Sequence, residues 1–223
     1  MYMFFKRIFD IFFSLFLIIL ISPLFLIIIV CLIIFNNGYI FYLQNRIGFR
    51  NRSFGIKKFA SMLKNSESLP GGTITLRNDS RVTKIGRILR ITKLNELPQL
   101  LNVLFGEMSF VGPRPMLQEG FNLYTPEVQA IIYQSRPGIT GISSVIFRDE
   151  ERLVTDSDMD PKEFYKTVIF PYKGELEQWY YKNRSVWVDF AILFLTGLKI
   201  IAPGTKLEFK LFPSLPESEQ FKF

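Results

Sequence analysis

Between residues 90 and 115 the chain reads Arg-Ile-Thr-Lys-Leu-Asn-Glu-Leu-Pro-Gln-Leu-Leu-Asn-Val-Leu-Phe-Gly-Glu-Met-Ser-Phe-Val-Gly-Pro-Arg-Pro. Asn95 and Glu96 stand at the head of an apolar helical repeat made by Leu97, Leu100, Leu101 and Leu104. Asn95 is a good N-cap residue, because its side-chain oxygen can accept a bond from a free N–H two or three residues on. Glu96 then falls where the helix dipole favours negative charge, and Gly106 is a natural stop. A helix N-terminus of this kind can receive an anion. Lys58, Arg90, Arg114, Arg136 and Arg148 supply cations, and Arg136-Pro137-Gly138-Ile139-Thr140-Gly141 is a turn that allows close backbone approach. Carboxylates such as Glu96, Glu107, Asp149 and Glu150 could hold Mg²⁺ through one or two oxygens plus substrate phosphate. Together these residues suggest phosphate chemistry. Taken singly, each is an ordinary surface charge, and the helix after Asn95 is equally well read as a capped core helix.

Several other chemistries are excluded. The chain has 223 residues and no His, which removes the commonest general base and metal ligand. Its single cysteine, Cys31, permits neither an intramolecular disulfide nor a cysteine metal site. There is no Gly-x-x-x-x-Gly-Lys-Ser/Thr loop and no Gly-x-Gly-x-x-Gly, so P-loop and Rossmann nucleotide binding are not indicated. The net charge is +7, with 14 Lys/Arg against 4 Asp/Glu in the first 100 residues. That asymmetry suits an anionic membrane surface or a phosphate-rich substrate. No nucleic-acid motif accompanies the charge, so no nucleic acid is expected as partner.

The elements that must position these residues begin with an uncharged run from Ile11 to Phe35. It exceeds a hydrocarbon core of roughly 30 Å, and no signal-peptide cleavage site follows it. One straight spanning helix is the plain reading. Ser22-Pro23 near its midpoint favours another: Pro23 removes the bond to residue 19 and the Ser22 hydroxyl can satisfy freed backbone. Basic residues flank both ends, Lys6 and Arg7 on one side and Arg46 and Arg50 on the other. A re-entrant helix, in and out on one face, fits this better than a spanning one.

Asn36-Asn37-Gly38 is a turn signal, and Tyr39–Leu43 with Phe54–Phe59 read as a hairpin. Residues 63–80, with Pro70-Gly71-Gly72, read as a mobile loop. Val82–Ile91 should be a helix with Lys84, Arg87 and Arg90 on one face. An amphipathic helix is expected through Pro126 to Gln134, and a short β-type run from Ser143 to Phe147. Pro161–Lys182 and Ser185–Ile201 read as helices, the second packed on the domain or lying at the interface, and the tail from Pro203 as loosely held. The expected fold is an α-rich α+β one. A re-entrant, Ser-Pro-broken membrane helix (1–36) precedes a compact cytoplasmic domain (37–203) with a small β-hairpin and interfacial helices, then a C-terminal tail (204–223).

These residues resemble the small monotopic phosphoglycosyl transferases, the initiating type of bacterial sugar transferase. The resemblance rests on Lys6-Arg7-x-x-Asp10, Ser22-Pro23, Lys58-Phe59, Arg90, the block from Glu96 to Pro115, and Arg136 to Gly141. It implies a Mg²⁺-dependent transfer of a sugar-1-phosphate from a UDP-sugar to polyprenyl phosphate (undecaprenyl phosphate). UMP is released and a polyprenyl diphosphate sugar is formed. This would be the first membrane step of exopolysaccharide, lipopolysaccharide or other glycoconjugate synthesis. The implied location is the cytoplasmic face of the bacterial inner membrane, with a monotopic attachment. A homodimer is compatible with the sequence, though no motif specifies one. Arg114, Lys58 and Arg90 would handle phosphate. The resemblance places a nucleophilic Asp immediately before Glu96, and here that position is Asn95. Three readings follow: Glu96 takes over as nucleophile, the lipid phosphate displaces directly, or the protein is a catalytically impaired member that binds lipid phosphate or nucleotide sugar. Arg148-Asp149-Glu150-Glu151 also departs from the Asn-Gly-Arg-Asn-like segment that the resemblance leads one to expect.

Overall fold

The computed structural model describes residues 1–66 and 79–218, so most of the loop expected at 63–80 lies outside the described residues. Along the chain α1 (Tyr2–Phe35) leads to β1 (Phe41–Ile47) and β2 (Ser53–Phe59), then α2 (Lys84–Ile91) and α3 (Gln99–Phe105). β3 (Ser109–Val111), α4 (Gln118–Phe121), α5 (Pro126–Ile131), β4 (Gly138–Thr140) and α6 (Ile142–Ile146) follow. The rest is helical: α7 (Glu150–Thr155), α8 (Pro161–Phe164), α9 (Phe170–Asn183), α10 (Val186–Ile201) and α11 (Leu207–Leu211). Contacts divide the chain into two compact units. One holds Met1–Asp10, Arg46–Phe54 and Gly106–Phe223; the other holds Ile11–Asn45 and Gly55–Phe105.

α1 is long and apolar enough to cross a membrane, and only 11% of its most apolar window is buried. The backbone stays helical through Pro23. Pro23 has no N–H to give the Ile19 carbonyl, and the Ser22 hydroxyl donates to that carbonyl instead, at 2.8 Å. This is how an apolar helix tolerates proline without an orphaned acceptor. The helix ends at the predicted turn, where Asn37 and Gly38 take the left-handed conformation and Asn36 Nδ2 donates to the Tyr39 carbonyl at 2.7 Å.

In the second unit, Ile28 and Leu32 of α1 pack with Phe59 and Leu89 into a buried core. β1 and β2 form the expected hairpin sheet. Thr83 caps α2 by accepting from Gly86 N at 3.0 Å. Gly86 is needed there because a Cβ would fall 1.9 Å from the Ser61 carbonyl oxygen.

The first unit is built around a parallel pair, β3 with β4, in which Ser109 faces Gly138 and Val111 faces Thr140. The pairing continues into the flanking turns: Gly112 N donates to Thr140 O and Gly138 N to Pro113 O, both at 2.9 Å. Ile47, Phe121, Tyr124, Val128, Ile132, Tyr133 and Phe170 make an aromatic-rich core. Ser185 caps α10 through Val188 N at 3.2 Å.

Three expectations need correction. The β-type run at Ser143–Phe147 is helix α6, because Ile142, Val145 and Ile146 at helical spacing are all buried. The strand lies just before it, in the stretch read as a turn. The tail is not loose as far as Pro216: Lys199 Nζ bonds Glu208 at 2.6 Å, Trp179 Nε1 donates to Ser214 at 3.0 Å, and Tyr172 OH donates to the Pro216 carbonyl at 2.8 Å. The single helix expected over Pro126–Gln134 is shorter, giving way to a 3₁₀ turn at Ile132–Gln134.

Candidate active site

Asn95 and Glu96 do not begin a helix. They lie in a 3₁₀ turn, Leu94–Glu96, after Lys93 in the left-handed conformation, and α3 starts only at Gln99. The expected N-cap therefore fails for a stereochemical reason. A helix capped by Asn95 would use the N–H of residue 97 or 98. Pro98 has none, and Leu97 N is already given to the Leu94 carbonyl at 3.2 Å. Asn95 is 8% exposed, and its Oδ1 is a buried acceptor with no hydrogen-bond partner. Such an atom loses its water without compensation.

Next to it Glu96 remains accessible, with Lys58 Nζ at 3.7 Å from Oε1. The sequence gives no hint of what aims Lys58. Asn102, fully buried on α3, accepts from Lys57 N at 2.9 Å and donates to the Gly55 carbonyl at 2.8 Å. Its amide thus acts like an extra strand residue beside β2 and fixes the backbone that carries Lys58. Arg90, in the last turn of α2, lies close enough to Asp79 to help hold that carboxyl down to about 2, behind the larger effect of the Arg81 hydrogen bonds.

The remaining predicted cations and carboxylates belong to the first unit. Arg114 is exposed in the Gly-Pro-Arg-Pro turn. That turn is held by Tyr133, whose hydroxyl donates to the Arg114 carbonyl at 2.8 Å and accepts from Met116 N at 3.0 Å. Arg148 and Asp149 are exposed just before α7, and the Asp149 side chain does not cap that helix. Glu150 is already engaged: Lys173 of α9 donates to it at 2.7 Å. Burial pulls the Lys173 amine below its usual range, although Glu150 opposes this. One turn on, Ser143 donates to Glu177, and burial pushes the Glu177 carboxyl up to about 7.

Arg136 is also tied down, its Nε donating to the Gly106 carbonyl at 2.8 Å. At the base of α1, Lys6 forms a buried ion pair with Asp189, which also accepts from Tyr2 at 2.7 Å and Tyr180 at 2.8 Å. Asp10 accepts from Ser109 Oγ and Phe110 N, both at 3.1 Å. A cavity of about 220 Å³, lined mainly by Phe5, Phe9, Phe110, Phe190 and Leu193, adjoins these groups.

Among the described residues no three His, Cys, Asp or Glu side chains gather as a metal site. Of the expected set, Glu150 is engaged by Lys173. The Asn95 amide oxygen and the Glu96 carboxylate still suit Mg²⁺, which takes few protein oxygens and completes its shell with water and substrate phosphate.

A sequence model of the family described as bacterial sugar transferase matches residues 1–203. The chain belongs to that family. Among bacterial sugar transferases, it is 38% identical over 197 residues to the UDP-N-acetylgalactosamine-undecaprenyl-phosphate N-acetylgalactosaminephosphotransferase of Aeromonas hydrophila, covering 87% of this chain and 43% of that protein. It is 35% identical over 212 residues to the undecaprenyl-phosphate galactose phosphotransferase of Salmonella typhimurium, covering 89% and 40% respectively. The exopolysaccharide production protein ExoY of Rhizobium meliloti is 34% identical over 206 residues, covering 86% of this chain and 83% of its own length. The chain thus spans about two fifths of the first two relatives and most of the third.

Proposed function

We propose that this chain transfers a sugar-1-phosphate from a UDP-sugar to polyprenyl phosphate at the cytoplasmic face of the bacterial inner membrane. The observation that carries this reading is the part-exposed Glu96 carboxylate paired with Lys58. Membership in the sugar transferase family supports it, as do relatives named for transfer to undecaprenyl phosphate.

Glu96, not Asn95, is the group able to attack phosphorus, since a neutral buried amide is a poor nucleophile. Its carboxylate oxygen would bond to the sugar-bearing phosphorus as the bond from that phosphorus to UMP breaks. Lys58 would neutralise charge on the diphosphate as UMP departs. Attack by the polyprenyl phosphate oxygen on the same phosphorus would then release Glu96 and complete the polyprenyl diphosphate sugar. Mg²⁺, when bound at Asn95 and Glu96, supplies further charge neutralisation. Arg90 and Arg114 remain candidates for holding phosphate. The apolar cavity beside α1 offers an isoprenoid unit a place outside water.

The same reading takes α1 as re-entrant. Basic residues flank both ends of the helix, Lys6 and Arg7 at one and Arg46 and Arg50 beyond the other. The Ser22 hydroxyl serves the Ile19 carbonyl that Pro23 leaves without a donor, as hydrocarbon requires. In a Cys31→Ser background, single cysteines at residues 3 and 38 should label from the same side of sealed vesicles. Labelling from opposite sides gives a spanning helix.

A UMP-release assay on detergent-solubilised full chain, with polyprenyl phosphate, Mg²⁺ and a panel of UDP-sugars, tests the transfer. Release that disappears in Glu96→Gln, with a phosphosugar adduct trapped on Glu96 when the lipid is withheld, supports it. The neutral Asn95 favours a second reading, a protein that binds these ligands without turnover. No release with any donor, and release gained in Asn95→Asp, would establish that one.

A further inference from the structure

Three arginines from distant parts of the chain meet in the first unit. Arg136 bonds the Gly106 carbonyl through Nε alone. Arg7 lies against the same glycine, its Nη2 within 3.1 Å of where a Cβ would stand. Gly106 has φ of 85°, so this site already favours glycine, and the close approach of a guanidinium adds a second reason for it. Arg50, at the tip of the β1–β2 hairpin, shares the ring of Phe49 with Arg136: their guanidinium carbons lie 5.2 and 4.9 Å from its centroid.

Like charges at such spacing repel, and the ring faces offset only part of that. Burial, then the charges of Arg7 and Arg50, draw Arg136 below its ordinary range, against the opposing pull of Asp10. Asp10 is itself occupied by Ser109 and Phe110 N. Among the described residues neither the Nη groups of Arg136 nor any donor of Arg50 has a hydrogen-bond partner. The fold therefore holds together a cationic group with donors to spare, in the fork geometry that suits phosphate oxygens.

The location points to the source of the phosphate. Arg7 lies on α1 among Phe4, Phe5, Ile8 and Phe12, which are 67%, 54%, 38% and 70% exposed. An apolar helix with this much bare aromatic surface sits in lipid, and a cation on its first turns sits at headgroup depth. We propose that Arg7, Arg50 and Arg136 form a binding site for the phosphate of an anionic phospholipid headgroup, which pins the base of α1 and the hairpin tip to the membrane surface.

The test is binding to the full chain in a zwitterionic detergent, read from the unfolding midpoint, with no turnover involved. It therefore stands or falls apart from the transfer reaction. Short-chain phosphatidylglycerol should raise the midpoint saturably, while short-chain phosphatidylcholine should not. Arg50→Gln should weaken the apparent affinity at least about fivefold without shifting the lipid-free midpoint, and Arg50→Lys should recover part of the loss. Arg52→Gln, an exposed neighbour outside the cluster, should bind as the parent does. Equal responses to both lipids would overturn the proposal, as would an Arg52→Gln loss matching that of Arg50→Gln. Full reproduction of the effect by inorganic phosphate at the same concentration would assign the cluster to a free anion. Stronger competition by a short isoprenyl phosphate would assign it to the acceptor lipid.

Discussion

Lys58 Nζ stands 3.7 Å from Glu96 Oε1, and the strand that presents Lys58 is held by the side chain of Asn102. If Lys58 neutralises phosphate charge, Lys58→Met should lower kcat about 100-fold, with a smaller change in KM, as for loss of one preorganised electrostatic group. Asn102→Ala strands the Lys57 N–H and the Gly55 carbonyl. It should destabilise by about 2–4 kcal/mol and lower kcat as well, because Lys58 loses its aim. A Lys58→Met enzyme with the parental kcat would refute the assigned role.

Asn95→Asp is the most informative single change. It puts a carboxylate where an amide oxygen already lacks a partner. In EDTA the variant should unfold earlier than the parent, by about 2–4 °C for each kcal/mol of uncompensated charge burial. Mg²⁺ should recover that loss and stabilise the variant more than it stabilises the parent. Identical midpoints with Mg²⁺ and with EDTA would show that no cation sits there.

The buried Lys6–Asp189 pair, with Tyr2 and Tyr180 on the same carboxylate, is an all-or-none arrangement. Asp189→Asn should destabilise by about 3–5 kcal/mol, because it leaves the Lys6 charge buried and alone. The double change Lys6→Met with Asp189→Leu should be milder than Asp189→Asn by itself. Denaturant titration of the three proteins distinguishes this from simple additivity, which would deny the coupling.

Glu177 gives a pH dependence of definite sign. Its folded-state carboxyl titrates near 7 against an ordinary value of 4.5. The folded protein therefore holds this proton more tightly than the unfolded chain. The stability that follows is complete below pH 4.5, is lost as pH rises to about 7, and is of the order of 3 kcal/mol. Glu177→Gln should flatten the stability profile between pH 4.5 and 7. A slope unchanged by the substitution would place the proton elsewhere.

Local signals were readable where chain chemistry alone decides. Asn36-Asn37-Gly38 terminates α1 as its residue types require, and Ser185 caps α10. The aromatic and β-branched runs on either side of Gly48 pair as a hairpin. What stayed hidden depended on partners far along the chain. Ile142, Val145 and Ile146 suit strand and helix equally by type, and burial on three sides of one helical turn decides for helix. β3 and β4 are three residues each, too short to leave an alternation, and exist because they pair with each other. At the site, the phosphate-handling residue types were legible and their engagements were not. Lys173 lies 23 residues from Glu150, and no spacing rule links them. Asn95 has the side chain of a cap, but the donor a cap would need is missing at Pro98 and already used at Leu97.

The crossed backbone bonds between Gly112, Thr140, Pro113 and Gly138 have an evolutionary and engineering corollary. The Gly-Pro-Arg-Pro and Arg-Pro-Gly-Ile-Thr-Gly segments behave as one cassette split by an insert of 20 residues. A Cβ at Gly112 would fall 2.2 Å from the Arg136 carbonyl oxygen, and one at Gly138 would fall 2.2 Å from Gly112 N. Drift in either segment is thus conditional on the other. A chimera that grafts one of them from a relative should fold only when its counterpart travels with it, together with Tyr133 of the insert, whose hydroxyl holds the Gly-Pro-Arg-Pro turn.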